Sequence, residues 1–142
     1  MSADLYQKAL LRLAADAHGA GRLAGPCCSG REANAMCGDS IIFDARVGSD
    51  RRITALANEL KGCVLVQASA SLLARHASGK TEAEIAALRE TVDAMLNGGA
   101  APAGDWAEYE VFKPASDYRS RHSCVLLPIN ALVKALKDCE PD

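Results

Sequence analysis

Hydrophobic and polar positions divide the chain into segments of two periods. Residues 4–16 carry Leu5, Tyr6, Leu10 and Leu13 at helical spacing, with Ser2 or Asp4 as the cap. Residues 19–30 are rich in glycine and small side chains and read as a loop holding Arg22, Pro26, Cys27 and Cys28. Residues 40–47 then alternate. Ile41, Phe43, Ala45 and Val47 fall on one face, and Ile42, Asp44 and Arg46 on the other. After the turn residues Gly48-Ser49-Asp50, residues 52–60 return as a weaker strand. Lys61-Gly62 reads as a second turn and residues 63–66 as a short buried strand. Three strands joined by tight turns predict an antiparallel meander.

The period then becomes helical. Residues 67–77 hold Ser69 and Ser71 near their start and Leu72 and Leu73 inside, and Ser78-Gly79 closes them. Thr81-Glu82-Ala83-Glu84 is a capping box, followed by Ile85, Leu88, Val92 and Met95 at helical spacing and a stop at Asn97-Gly98. Trp106, Tyr109 and Phe112 recur every third residue, which predicts a short helix covering the sheet with its rings in the core. Ile129, Leu132, Val133 and Leu136 form the final helix, and Pro128 suits its first position. A start nearer Ser123 would instead leave the Cys124 carbonyl unbonded and kink the helix. The sum is an α+β fold: a three-stranded antiparallel sheet with helices packed mainly on one face. At 142 residues, one domain spanning 1–142 is expected.

A net charge of −2 argues against a basic surface for nucleic acid. No apolar run reaches the ~20 residues of a membrane span. The first twenty residues are amphipathic and scattered with charges, unlike a secretory signal, so a cytoplasmic location is expected. In that compartment the six cysteines are expected as reduced thiols, which leaves metal binding, sulfur chemistry or inert burial. Cys27 and Cys28 read as incidental surface thiols, and Cys139, in a charged tail, as a free one.

The other three cysteines sit at element boundaries. Cys37 lies in the loop that opens the first predicted strand, Cys63 follows Gly62, and Cys124 precedes the last helix. Gly38 and Gly62 let backbone approach closely, and Asp39 can turn its carboxylate into the same space. Three thiolates and a carboxylate would satisfy tetrahedral zinc or hold iron in a cluster. The oxygen of Asp39 is a harder ligand than a fourth thiolate, so one corner of the site is weak and can open. The spacing itself contains no CxxC pair.

The flanks are more specific. Asn34–Ile41 (NAMCGDSI), Lys61–Leu72 (KGCVLVQASASL) and Arg121–Leu127 (RHSCVLL) resemble the three signature blocks of the IscU/NifU-like iron–sulfur cluster assembly scaffold family. The insert between the second and third cysteines, and Arg121 three residues before Cys124, look like the SufU-type branch. The resemblance implies the SufE/NifU-like scaffold fold and Cys37, Asp39, Cys63 and Cys124 as ligands of zinc or of a transient [2Fe–2S] cluster. It implies a SufS-type cysteine desulfurase as sulfur donor and apoproteins as recipients. The expected role is that of a scaffold rather than an enzyme, with persulfide accepted first on Cys37 or second on Cys124. A zinc-bound sulfurtransferase partner and a structural zinc domain are the alternatives. Arg121 is expected to stabilise thiolates, to pair with Asp39 or to form a surface salt bridge. His122 is expected as a fifth ligand or proton acceptor, or as a solvated or capping side chain. Nothing in the sequence orients a general base for a Cys124–His122 nucleophilic pair. Ala35 stands where the family usually has proline, which loosens the first loop. Asn58 stands where an apolar residue is common. The basic, proline-containing motif that IscU-type members offer a chaperone is absent near Cys124.

Overall fold

The central strand is the one whose alternation is cleanest. β2 (Asp39–Val47) pairs antiparallel with β1 (Cys28–Asn34) on one side and β3 (Ile53–Lys61) on the other. Ile41, Phe43, Ala45 and Val47 all point into the core, as the alternation predicts. The computed structural model describes the backbone of residues 3–141 and the side chains of residues 7–141; the expected caps Ser2 and Asp4, and Leu5 and Tyr6, fall outside these.

Two strand assignments are corrected. β1 lies where a loop was expected, because Cys28–Asn34 has no apolar alternation to announce it. Its one buried position is Gly30, where a Cβ would collide with the backbone of Ala131 and Ala135. A strand that packs through a glycine leaves no hydrophobic signature. Conversely, residues 63–66 are not a strand. Cys63 is the N-cap of α2 (Val64–His76), so the run Val64–Val66 is the first turn of a buried helix. The meander survives with its strands shifted one element toward the N-terminus.

The helices stack on the apolar face. α4 (Arg119–Leu136) lies across β1 and β2, α2 packs on α4, α1 (Ala3–Asp16) packs on α2, and α3 (Glu82–Leu96) packs on α4. α3 begins as expected: the Thr81 hydroxyl accepts from the Glu84 N–H, and the Glu84 carboxylate accepts from the Thr81 N–H. Gly104–Asp117 is a 3₁₀ segment rather than an α-helix. At three residues per turn, Trp106, Tyr109, Phe112 and Ala115 fall on one face, which is the physical meaning of their spacing. That face meets the four helices and not the sheet, which corrects the expected packing. Tyr109 and Phe112 are fully buried with ring centroids 5.4 Å apart.

α4 starts well before Pro128, so the second of the two expected arrangements holds and the Cys124 carbonyl has no intrahelical N–H to accept. Ser69 and Ser71 lie inside α2, not at its start. The Ser69 hydroxyl donates to the Val125 carbonyl at 2.7 Å, and Ser71 accepts from the His18 N–H at 3.1 Å. Asn58 is buried because it anchors the preceding loop: its N–H donates to the Gly19 carbonyl, its carbonyl accepts from Gly21 N–H, and Nδ2 donates to the His18 carbonyl.

Two of the remaining cysteines, Cys28 and Cys139, are also corrected. Cys139 is not free; it is bonded to Cys28 with Cα atoms 5.8 Å apart. Cys28 and Gly30 share the face of β1 that lies on α4, which brings Cys28 to the tail leaving that helix. Cys27, one residue earlier, turns the other way, with Sγ 4.0 Å from the Ser29 hydroxyl, and stays a thiol.

Candidate metal centre

The site forms where the ends of three elements meet. β1 and β2 are joined by a four-residue hairpin, closed by the Asn34–Asp39 pair, that carries Cys37 at its tip. Gly38 takes φ +72°, a conformation natural to glycine, and lets the chain re-enter β2 at Asp39. The Ser40–Lys61 pairing then sets the start of β2 beside the end of β3, so Gly62 and Cys63 arrive next to Asp39. Gly62 fits a tight space: a Cβ there would lie 3.1 Å from Asp39 Oδ1 and 3.1 Å from Val66 Cβ, so those side chains would have to give by a few tenths of an ångström. Cys124 comes from the second turn of α4.

Asp39 organises the centre. Its carboxylate is buried; Oδ1 accepts the Cys63 N–H at 3.2 Å, and Oδ2 lies 3.5 Å from Cys124 Sγ and 4.0 Å from Cys63 Sγ. Ligand atoms of Cys37, Asp39 and Cys124 lie within 4.8 Å of one another. A tetrahedral shell with metal–sulfur bonds of ~2.3 Å has ligand–ligand edges of ~3.8 Å. The 3.5 Å from Asp39 Oδ2 to Cys124 Sγ and the 4.8 Å limit within which the Cys37, Asp39 and Cys124 atoms lie are compatible with that edge, so these three can share one ion; Cys63 Sγ comes to 4.0 Å from Asp39 Oδ2 but stands outside that mutually close group. Burial pushes the Cys124 thiol well above its ordinary range, and the neighbouring Cys63 and Asp39 push it further. The proton is therefore held on Cys124 until a cation replaces it. Cys37 and Cys63 are exposed, and Cys124 is buried at the floor.

These groups open into a cavity of about 650 Å³. Leu10, Val64, Leu65 and Pro114 give it apolar walls, with Gln7 and Arg121 as polar lining. None of these walls was foreseen, apart from Arg121. Its guanidinium stacks 4.6 Å above the Tyr118 ring at the cavity rim, and among the described residues it neither pairs with Asp39 nor makes a surface salt bridge. His122 is not a ligand: Nε2 donates to the Ser116 carbonyl at 2.9 Å, which turns the ring into the protein and off the site.

A family model described as the NifU-like N terminal domain matches residues 5–125. The chain belongs to that family. The chain is 29% identical over 133 residues to the iron–sulfur cluster assembly scaffold protein IscU of Thermotoga maritima, covering 94% of this chain and 93% of that one. It is 32% identical over 113 residues to the bifunctional protein NifU/MnmA of Rubrobacter xylanophilus, covering 76% of this chain but spanning only 23% of that relative's length. The crystal structure of a NifU-like N-terminal protein from Brucella abortus superposes with a TM-score of 0.88 at 33% identity, over 94% of this chain and 93% of the other. No helix among the described residues is long and apolar enough to cross a membrane.

Proposed function

We propose that this member of the NifU-like family is a scaffold on which an iron–sulfur cluster is assembled and from which it passes to apoproteins. Cys37, Asp39, Cys63 and Cys124 are its ligands in this reading. The observation that carries it is the convergence of three sulfurs, from three separate elements, on one buried carboxylate at the floor of an open cavity. A permanent cofactor site would enclose its sulfurs; here two of the three thiols face solvent. Sulfur arrives from a cysteine desulfurase: the Cys37 thiolate attacks the terminal sulfur of the enzyme's persulfide, and the enzyme's own thiolate leaves. Cys37 takes this role because it is exposed at a hairpin tip, whereas the buried Cys124 keeps its proton. Release begins at the Asp39 corner, the weakest bond to a soft metal.

Anaerobic reconstitution with ferrous iron and sulfide tests this. A brown protein with iron and labile sulfide in equal amounts is expected, and Cys37→Ala, Cys63→Ala and Cys124→Ala should each abolish it. Protein that stays colourless under those conditions removes the scaffold reading. Asp39→Ala should slow transfer of the cluster to an apoprotein; a variant that loses cluster faster than the parent contradicts the role given to Asp39.

A second reading keeps the site and changes the cargo. Zinc holds the same ligands, and one thiolate swaps out to accept persulfide from a SufS-type desulfurase. It is favoured by the insert that forms α3 and by Arg121 at the cavity rim. Protein isolated under nitrogen with one zinc and no iron, and stimulation of desulfurase turnover that Cys37→Ala removes, would select it. A purely structural zinc site predicts instead that chelation unfolds the protein.

A further inference from the structure

Asn34 makes four hydrogen bonds, and together they join two of the proposed ligands. Its carbonyl accepts from the Cys37 N–H at 3.2 Å and the Gly38 N–H at 2.9 Å. Its side-chain Oδ1 accepts from the Met36 N–H at 3.2 Å. These three bonds shape the hairpin tip that carries Cys37. The fourth leaves the hairpin: Nδ2 donates to the Ser123 hydroxyl at 2.9 Å, across 89 residues of sequence. Because Oδ1 is occupied by a backbone donor, the amide presents its NH₂ to α4. Ser123 in turn donates to the Ser120 carbonyl at 3.1 Å, so its hydroxyl is oriented by its own helix. The next residue is Cys124.

We propose that Asn34 is a positioning residue: a latch to Ser123 that holds the Cys37 hairpin against the turn of α4 bearing Cys124. The inference rests on the reading of those two cysteines as ligands. The need for it is local. Ala35 gives the tip no fixed φ, Gly38 is permissive, and Met36 is 94% exposed, so nothing packs the tip in place. Cys63, by contrast, is fixed by its N–H bond to Asp39 at 3.2 Å and by its place at the start of α2. The Cys37–Cys124 separation is thus not set by the sheet register, and the Asn34–Ser123 bond is the hydrogen bond that spans it. The latch closes only when the hairpin lies over α4, so it organises the centre before a metal arrives.

Ser123→Ala removes the acceptor, leaves the hairpin's internal bonds intact and lies on an exposed helix face. Two measurements on the full chain read the latch. The first is Co²⁺ alone as probe, whose sulfur-to-metal charge-transfer band counts bound thiolates; the variant should bind about tenfold more weakly. The second is alkylation of Cys37 in the metal-free protein, which should accelerate about fivefold, the shift one solvent-exposed hydrogen bond carries. Cys63 alkylation and the thermal midpoint should stay at parental values. Asn34→Ala should have the larger effect, and adding Ser123→Ala to it should change nothing further, because both touch one bond. Parental Co²⁺ affinity together with a parental Cys37 rate in Ser123→Ala overturns the proposal. If the parent itself shows no charge-transfer band, the ligand reading fails, and the Cys37 rate still decides the latch.

Discussion

β1 and α4 run side by side in opposite directions, and sulfur is used differently at the two ends of the pair. At the closed end, Cys28 and Cys139 meet on the inner face of the layer and bond. At the open end, Cys63 and Cys124 approach the same carboxylate, at 4.0 and 3.5 Å, and remain thiols. A buried carboxylate, Asp39, lies beside both sulfurs of the open end. A negative charge beside a thiol disfavours the thiolate, and the thiolate is the species that attacks a disulfide or an oxidant. At the closed end the Cys139 sulfur instead lies 3.9 Å from a backbone carbonyl, that of Glu140. In the proposed reading the acidic corner gives a cation its fourth ligand, and together with burial it helps hold the proton on the Cys124 thiol.

The largest expected effect breaks the open end alone. Cys124→Ala removes a buried thiol that the proposed function makes a ligand, and Co²⁺ affinity should fall by more than about a hundredfold, since even partners behind a ligand are worth ten- to a hundredfold. Cys37→Ser should weaken the same charge-transfer band by one thiolate's share yet leave the urea midpoint of the metal-free protein within ~0.5 kcal/mol of the parent, because the residue is exposed and touches no core. Comparable loss of stability in both variants would mean that the open end also supports the fold.

The closed end should behave in the opposite way. The disulfide spans 111 residues, and closing so long a loop restricts the unfolded chain by an amount worth roughly 4 kcal/mol. Cys139→Ser should lower stability by that order while leaving Co²⁺ binding unchanged. A reductant should destabilise the parent to the level of the variant and leave the variant where it is. If reductant does not move the parent's midpoint, the staple contributes nothing in solution.

What the sequence disclosed follows from the same contrast. β2 was legible because Ile41, Phe43, Ala45 and Val47 alternate against polar neighbours. α3 was legible because its cap is a local chemical motif, and the 3₁₀ segment showed its period though not its packing. β1 was hidden because it packs through Gly30 and is otherwise polar, so its fold signal is an absence of volume. The open end was legible because Cys37, Asp39, Cys63 and Cys124 each sit beside a glycine or an element boundary within recognisable flanks. The closed end was not: Cys28 sits in the hidden strand and Cys139 in a short charged tail, and no local pattern pairs residues so far apart. The Asn34–Ser123 bond was hidden for the same reason, since a cross-element contact has no period.

The smallest of these effects concerns the outer face of the sheet beside the closed end, where a charge is buried without any sulfur. Asp44 pairs with Ser29 across β1 and β2 and accepts from the Ser29 hydroxyl at 2.6 Å, Arg22 Nε at 2.7 Å, Arg22 NH2 at 3.1 Å and the Leu23 N–H at 3.1 Å. Burial alone would raise its pKa, but the bonds from Arg22, Ser29 and Leu23 outweigh that and hold it down to about 2, against 3.8 for a free carboxyl. A carboxylate with a depressed folded pKa contributes stability that is fully present above its unfolded value and is lost as pH falls through the folded one. The contribution is roughly 2 kcal/mol, complete above about pH 5 and disappearing between about pH 4 and pH 2. Asp44→Asn should therefore flatten the fall in unfolding free energy over that window and cost about 2 kcal/mol at neutral pH, with the Cys28–Cys139 bond and Co²⁺ binding both intact. If instead the variant loses stability in parallel with the parent below pH 4, the acid sensitivity belongs to another carboxylate.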